Sequence, residues 1–356
     1  MAKYQTRYPA LVEEFIAGSL RLATLPVHLM GLDDARAWAA RAANLVPRLR
    51  SRLFARAVQN LADAYPQWSP EQVRAGALAS YRHFFETAAE LVLLPRLISQ
   101  EGFTQQLTFG QIRPGLAALL GDSPCLLMTG HVGNWEVVGY AISMLGFPMH
   151  AVYRPLKLRP LDAWVRDSRA RRGLALVSKF DAIDTLPKVL APGRPVGLVA
   201  DQTGGDRAEF VPYFGRLTST QKVIGLLAMQ HNATLICGYA RRLPAAERAP
   251  DTLGMQIEIV DVFGPADWQQ HDDPQFYIAA RYRRAMERMV RQSPDQHLWM
   301  HRVWKARPPH ERKQRPFPER LRDKLLSLPW MTPDEVRAIE HQSEQDAANA
   351  ARFAPD

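Results

Sequence analysis

From about residue 104 the chain becomes an alternation of short apolar runs with helical stretches. The runs are PCLLMTG (124–130), HAVYRP (150–155), LALVSK (174–179), PVGLVAD (195–201), ATLICGYARR (233–242) and MQIEIVDVF (255–263). Strands separated by helices of ten or more residues form βαβ units. The expected fold is therefore α/β, a largely parallel central sheet with helices on both faces. A helical region precedes it, because residues 9–100 carry apolar side chains at helical spacing. Leu32-Asp33-Asp34 starts one helix, and Ser69-Pro70-Glu71 starts another with Ser69 as N-cap. A further helix is expected from Pro274 to Gln292. The chain then divides into a helical region (1–103), an α/β domain (104–309) and a polar C-terminal tail (310–356). The tail is expected to hold one short helix, over Thr332–Ala348.

Lys and Arg number 45 against 36 Asp and Glu, giving a net charge of +9, and 37 of the 45 are Arg. Arg pairs bidentately with phosphate, so the excess suits a phosphorylated partner, an anionic membrane or nucleic acid. Nucleic acid is disfavoured: the Arg residues are spread over many helices, and no helix-turn-helix, zinc-finger or RNP pattern is present. Cys125 and Cys237 each sit in an apolar run and are expected to be buried thiols. Lys3 and Arg7 do not begin a signal peptide, because Glu13 and Glu14 interrupt the apolar stretch that one would need. Residues 15–32 are apolar but contain Arg21 and His28, and Pro26 cuts them, so they read as a helix lying on a membrane rather than spanning it.

The segment Met128-Thr-Gly-His-Val-Gly-Asn-Trp-Glu136 carries the first chemical signal. A strand ends at Thr129-Gly130, His131 comes next, and a helix begins near Asn134. Reactive groups of open α/β sheets gather at the carboxyl ends of strands. A carboxylate in the first turn of the helix, Glu136, is placed to orient the His131 imidazole, and Asp201 is the rival for that role because it too ends a strand. Gly130 and Gly133 permit unusual backbone angles and close approach. Other candidates are Arg154 with Lys157, Asp201 with Gln202, the aromatic loop 210–220, and QHLWMHRVWKARPP (296–309). A helix after Lys157 adds Arg166, Arg169, Arg171 and Arg172.

In order and spacing, GHVGNWE (130–136), YRPLK (153–157), the strand ending in Asp201-Gln202, FVPYFG (210–215) and HLWMHRVWKARPP (297–309) resemble the bacterial lipid A biosynthesis acyltransferases. That lauroyl/myristoyl transferase family also contains phosphatidylinositol mannoside acyltransferases. The resemblance implies a glycerolipid acyltransferase-like fold at the cytoplasmic face of the inner membrane. It implies an acyl thioester donor, on acyl carrier protein or coenzyme A, and a phosphoglycolipid acceptor such as a lipid A precursor. His131 is then the general base and Glu136 its orienting carboxylate. Arg154, Lys157, Asp201, Gln202, Trp304 and Lys305 support the site or bind substrate, with Trp299 and Arg307 as further candidates for the lipid entrance. No cofactor or metal is implied, and G-x-S-x-G is absent. Two other readings remain: a catalytically inactive phospholipid-binding protein on the same fold, and a metal-dependent hydrolase using His131, His150 and Asp201. The latter is disfavoured because no paired-His helical motif exists.

Overall fold

The computed structural model describes residues 8–49, 52–99, 102–170 and 173–353; Lys3, Arg7, Arg171 and Arg172 lie outside the described residues. The helical region comprises α1 (Ala10–Leu29), α2 (Leu32–Ala43), α3 (Arg52–Ala64) and α4 (Pro70–Leu97). Pro26 does not cut α1: it falls in the last turn, where only one ladder hydrogen bond is lost. Ser69 caps α4 in a full capping box with Gln72.

The α/β region continues as α5 (Phe103–Gln106), β1 (Leu107–Phe109), α6 (Arg113–Leu119), β2 (Cys125–Thr129), α7 (Trp135–Met144) and β3 (His150–Tyr153). Next are α8 (Arg159–Ala170), β4 (Ala175–Ser178), α9 (Ala182–Leu190) and β5 (Val196–Val199). Then come β6 (Glu209–Tyr213), β7 (Arg216–Thr220), α10 (Lys222–His231), β8 (Thr234–Arg242), β9 (Met255–Phe263), α11 (Pro265–Trp268) and α12 (Pro274–Gln292). All six apolar runs are strands, and the helix expected from Pro274 to Gln292 has those bounds.

The main sheet has the order β1-β9-β8-β2-β5-β3-β4, and only the β8–β9 pair is antiparallel. Cys125 and Leu127 point to one face, packing with Ile142 of α7, while Leu126 and Met128 point to the other, joining the core that holds α10 and α12. Both cysteines are buried. Residues 210–220, expected as an aromatic loop, instead form the β6–β7 hairpin. Its two-residue turn, Phe214-Gly215, has positive φ at both positions, the geometry that matches strand twist. The sequence displays the turn glycine, but Pro212 hides the alternation of the flanking strand.

Residues beyond 309 are more structured than a polar tail. They form α13 (Pro309–Arg312), α14 (Glu319–Leu326) and α15 (Pro333–Ala348); the last is the expected helix, with Thr332 as its N-cap. Phe317, Leu325, Leu328, Val336 and Ile339 are buried in the main core. Each helix presents only a narrow apolar stripe, which the overall polarity of the segment hides.

Candidate active site

β2 and β5 are parallel neighbours in the register Thr129↔Val199. Two residues beyond that pair lie His131 and Asp201, so the register sets them side by side. Asp201 Oδ1 lies 2.7 Å from His131 Nδ1, and Oδ2 accepts from the His131 backbone N–H, also at 2.7 Å. An ionised carboxylate only accepts, so Nδ1 carries a proton in this pair, and in the neutral form of the ring the lone pair is on Nε2. Burial alone would raise the Asp201 carboxyl; the His131 charge and hydrogen bond hold it well below the ordinary carboxylate range. A side chain at Gly130 would crowd Asp201, its Cβ falling 3.2 Å from the Asp201 Cβ.

The turn carrying His131 is clamped from several directions. Gly133 has φ +62°, and a Cβ there would lie 2.0 Å from the Ala240 carbonyl oxygen. The Gly133 N–H donates to Gln296 O and the Leu298 N–H to His131 O, both at 2.9 Å. Asn134 caps α7 and donates to Glu90 at 2.8 Å. Glu90, fully buried, also accepts from Arg36 at 2.7 Å and Arg242 at 2.8 Å. Its pKa is about 2: burial opposes ionisation, but the two guanidinium groups outweigh it. His83 donates from Nε2 to the Gly133 carbonyl at 3.0 Å and accepts Arg242 at Nδ1. Burial and the Arg242 charge lower its pKa to about 3.

Glu136 is not the carboxylate on the His131 ring. It sits in the first turn of α7 and forms a two-point ion pair with Arg169 of α8. The carboxylate hydrogen-bonded to the ring is that of Asp201, the rival. On the imidazole itself, Trp135 packs against one side, ring centroids 4.7 Å apart, and His301 against another, at 4.6 Å. Sequence reasoning does not single out His301; the Trp-rich segment around it is the available signal. Burial and the His131 charge lower its pKa to about 4, and its Nδ1 is buried with no hydrogen-bond partner. Among the described residues, His131, Asp201 and His301 are the group whose ligand atoms, within 4.8 Å of one another, could hold a divalent cation. His150, the other His of the metal-hydrolase reading, instead bonds Pro148 O.

Trp135 also lines a slim apolar channel between α6, α7 and the sheet, walled by Leu116, Leu127, Ile142, Met149 and Ile236. Its cavity volume is about 80 Å³. Arg154 and Lys157 are exposed just beyond β3, and Gln202 is exposed beside Asp201. Lys305 is exposed, whereas Trp304 is buried against Arg216 and Tyr213. Two candidates for the lipid entrance are structural. Trp299 is buried, donating to Pro294 O at 2.7 Å, and Arg307 is buried in ion pairs with Glu311 and Asp346. Among the described residues no helix is long and apolar enough to cross a membrane.

The sequence is similar to known proteins. The curated lipid A biosynthesis lauroyltransferase of Escherichia coli (strain K12) is 28% identical over 164 residues, 45% of this chain and 50% of the relative. The chain thus spans about half the length of that relative. The sequence family described as "Bacterial lipid A biosynthesis acyltransferase" matches residues 9–306, from α1 through the Trp-rich segment, and the chain belongs to that family.

Proposed function

We propose that the protein transfers a fatty acyl chain from an acyl thioester, on acyl carrier protein or coenzyme A, to a hydroxyl of a phosphoglycolipid. The observation that carries this reading is the His131–Asp201 pair, whose imidazole packs on Trp135, a residue of the apolar channel's wall. His131 Nε2 accepts the acceptor's proton as its hydroxyl oxygen attacks the thioester carbonyl; the C–S bond breaks and the thiolate takes a proton from the imidazolium. Such general-base help is worth about 10²–10⁴-fold. Asp201 fixes the tautomer and stabilises the imidazolium. The acyl chain lies in the channel, whose lining offers almost no polar group, and Arg154 faces the anionic parts of the substrates.

The reaction takes place at the cytoplasmic face of the inner membrane. On α1, Leu11, Phe15, Leu22, Leu25 and Leu29 form one exposed stripe, between 51% and 89% accessible. A 20-residue helix is about 30 Å long, and such a stripe suits a helix lying in the interface. Replacement of His131 by Ala tests the chemistry: transfer from an acyl thioester to a lipid A precursor falls at least about 10²-fold, with the melting temperature and vesicle binding retained. Activity within about tenfold of the parent protein would sink the assignment.

A further inference from the structure

Two spaces of different shape are lined by neighbours of the His131 site. Trp135, which packs on the His131 ring, lines the slim channel, and Arg302, next in the chain to His301, lines a second, wider groove. The groove has a cavity volume of about 510 Å³, against about 80 Å³ for the channel. Polymethylene needs a narrow slot; a sugar phosphate headgroup needs width.

The groove is built from α3 and the segment after His301. Arg52 and Arg56 line it from α3, Arg302 and Lys305 from the other wall, and Arg352 from the C-terminal turn. Among the described residues, Asp63 is the one carboxylate in that lining, and it is engaged by Arg216 at 2.8 Å and by Arg352. The wall is held rigidly: the Asn60 amide donates to the carbonyls of Trp299 and His301 at 2.7 and 2.8 Å. Val303 lies two residues from His301, and two residues of extended chain span about 7 Å. The groove wall at Val303 is thus no more than about 7 Å along the chain from His301, whose ring packs on His131. A concentration of Arg and Lys around one bound carboxylate recognises a dianion, for which the bidentate guanidinium is suited.

We propose that this groove binds a phosphate group of the acceptor glycolipid, an assignment that rests on the acyl-transfer reading. The acceptor comes from the groove side and the acyl donor from the channel side, so the two substrates meet at the imidazole without crossing. The phosphate fixes the headgroup and brings one hydroxyl to Nε2.

The test uses the full chain in mixed micelles with a lipid A precursor, either intact or treated with phosphatase. The parent protein is expected to favour the intact acceptor at least tenfold in kcat/KM. In the double variant Arg52→Ser with Lys305→Ser that ratio falls to about one, through a rise in KM for the intact acceptor. A ratio unchanged in the variant overturns the proposal. So does a selective rise in KM for the thioester, which would give the groove to the donor's phosphate. Loss of binding to anionic vesicles with the acceptor ratio intact would overturn it as well. Equilibrium binding of the two lipids separates the readings. If the parent protein transfers to neither lipid, the acyl-transfer reading fails, and the groove assignment survives only if the intact lipid still binds at least tenfold more tightly.

Discussion

Asp201 holds His131 at two points, ring and backbone, both at 2.7 Å. A carboxylate that bonds the main chain of the residue whose ring it orients fixes position as well as tautomer. The substitution Asp201→Asn is therefore expected to lower kcat about 10²–10⁴-fold. Glu136→Gln acts elsewhere, on Arg169. In steady-state kinetics its effect is expected to be coupled with that of Arg169→Gln, because the two residues are partners, and nearly additive with that of Asp201→Asn. Asp201→Asn within tenfold of the parent protein would remove Asp201 from the mechanism.

Gly133 is a position where only glycine fits. An alanine there must adopt a left-handed backbone and push its Cβ into the Ala240 carbonyl. Strain of this kind costs on the order of 1–3 kcal/mol before the clash is added. Gly133→Ala is expected to lower the denaturation midpoint and to cut transfer more than tenfold. Unchanged denaturant unfolding would contradict the geometry of the turn.

Acid is expected to destabilise the protein before its carboxylates titrate. His83, His297 and His301 have folded-state pKa values lowered to about 3, 4 and 4, with burial as the leading cause. Their unfolded pKa is about 6.5, so below it the unfolded chain binds protons the folded one refuses. The stability is complete above about pH 6.5 and declines as pH falls toward about 4. Each imidazole contributes on the order of 1.4 kcal/mol per pH unit inside that window. Urea midpoints at about pH 7.5 and about pH 5 measure this, and equal midpoints would refute it.

The apolar stripe of α1 should govern membrane partition. Phe15→Ser with Leu22→Ser removes two exposed apolar side chains, each worth about 1.5–3 kcal/mol when buried. Sedimentation with anionic vesicles should show binding weaker by at least about tenfold, with the thermal unfolding curve little changed. Equal sedimentation would mean that another surface meets the lipid.

Periodicity makes the strands legible, and the strand-end rule brings out His131. The partner of His131 is not legible in that way. Asp201 is 70 residues away, and what joins the two is that β2 and β5 are sheet neighbours in a definite register. Local pattern encodes that a segment is a strand, not which strand it lies beside. Glu136 is near in sequence, but one helical turn commits it to α8. His301 is equally hidden: nothing in HLWMHRVW distinguishes the His that returns to the site from the Trp that fills the core.

The buried cluster around Glu90 has a consequence for dissecting the protein. Arg36, His83 and Glu90 come from the first hundred residues, whereas Asn134 and Arg242 come from the sheet domain. Cutting the chain before β1 would strip Arg242 and Asn134 of their partners and loosen the turn beneath His131. The leading helices are thus not a detachable leash on an independent enzyme. A shift of those helices would be passed through Glu90 and His83 to the turn that carries His131.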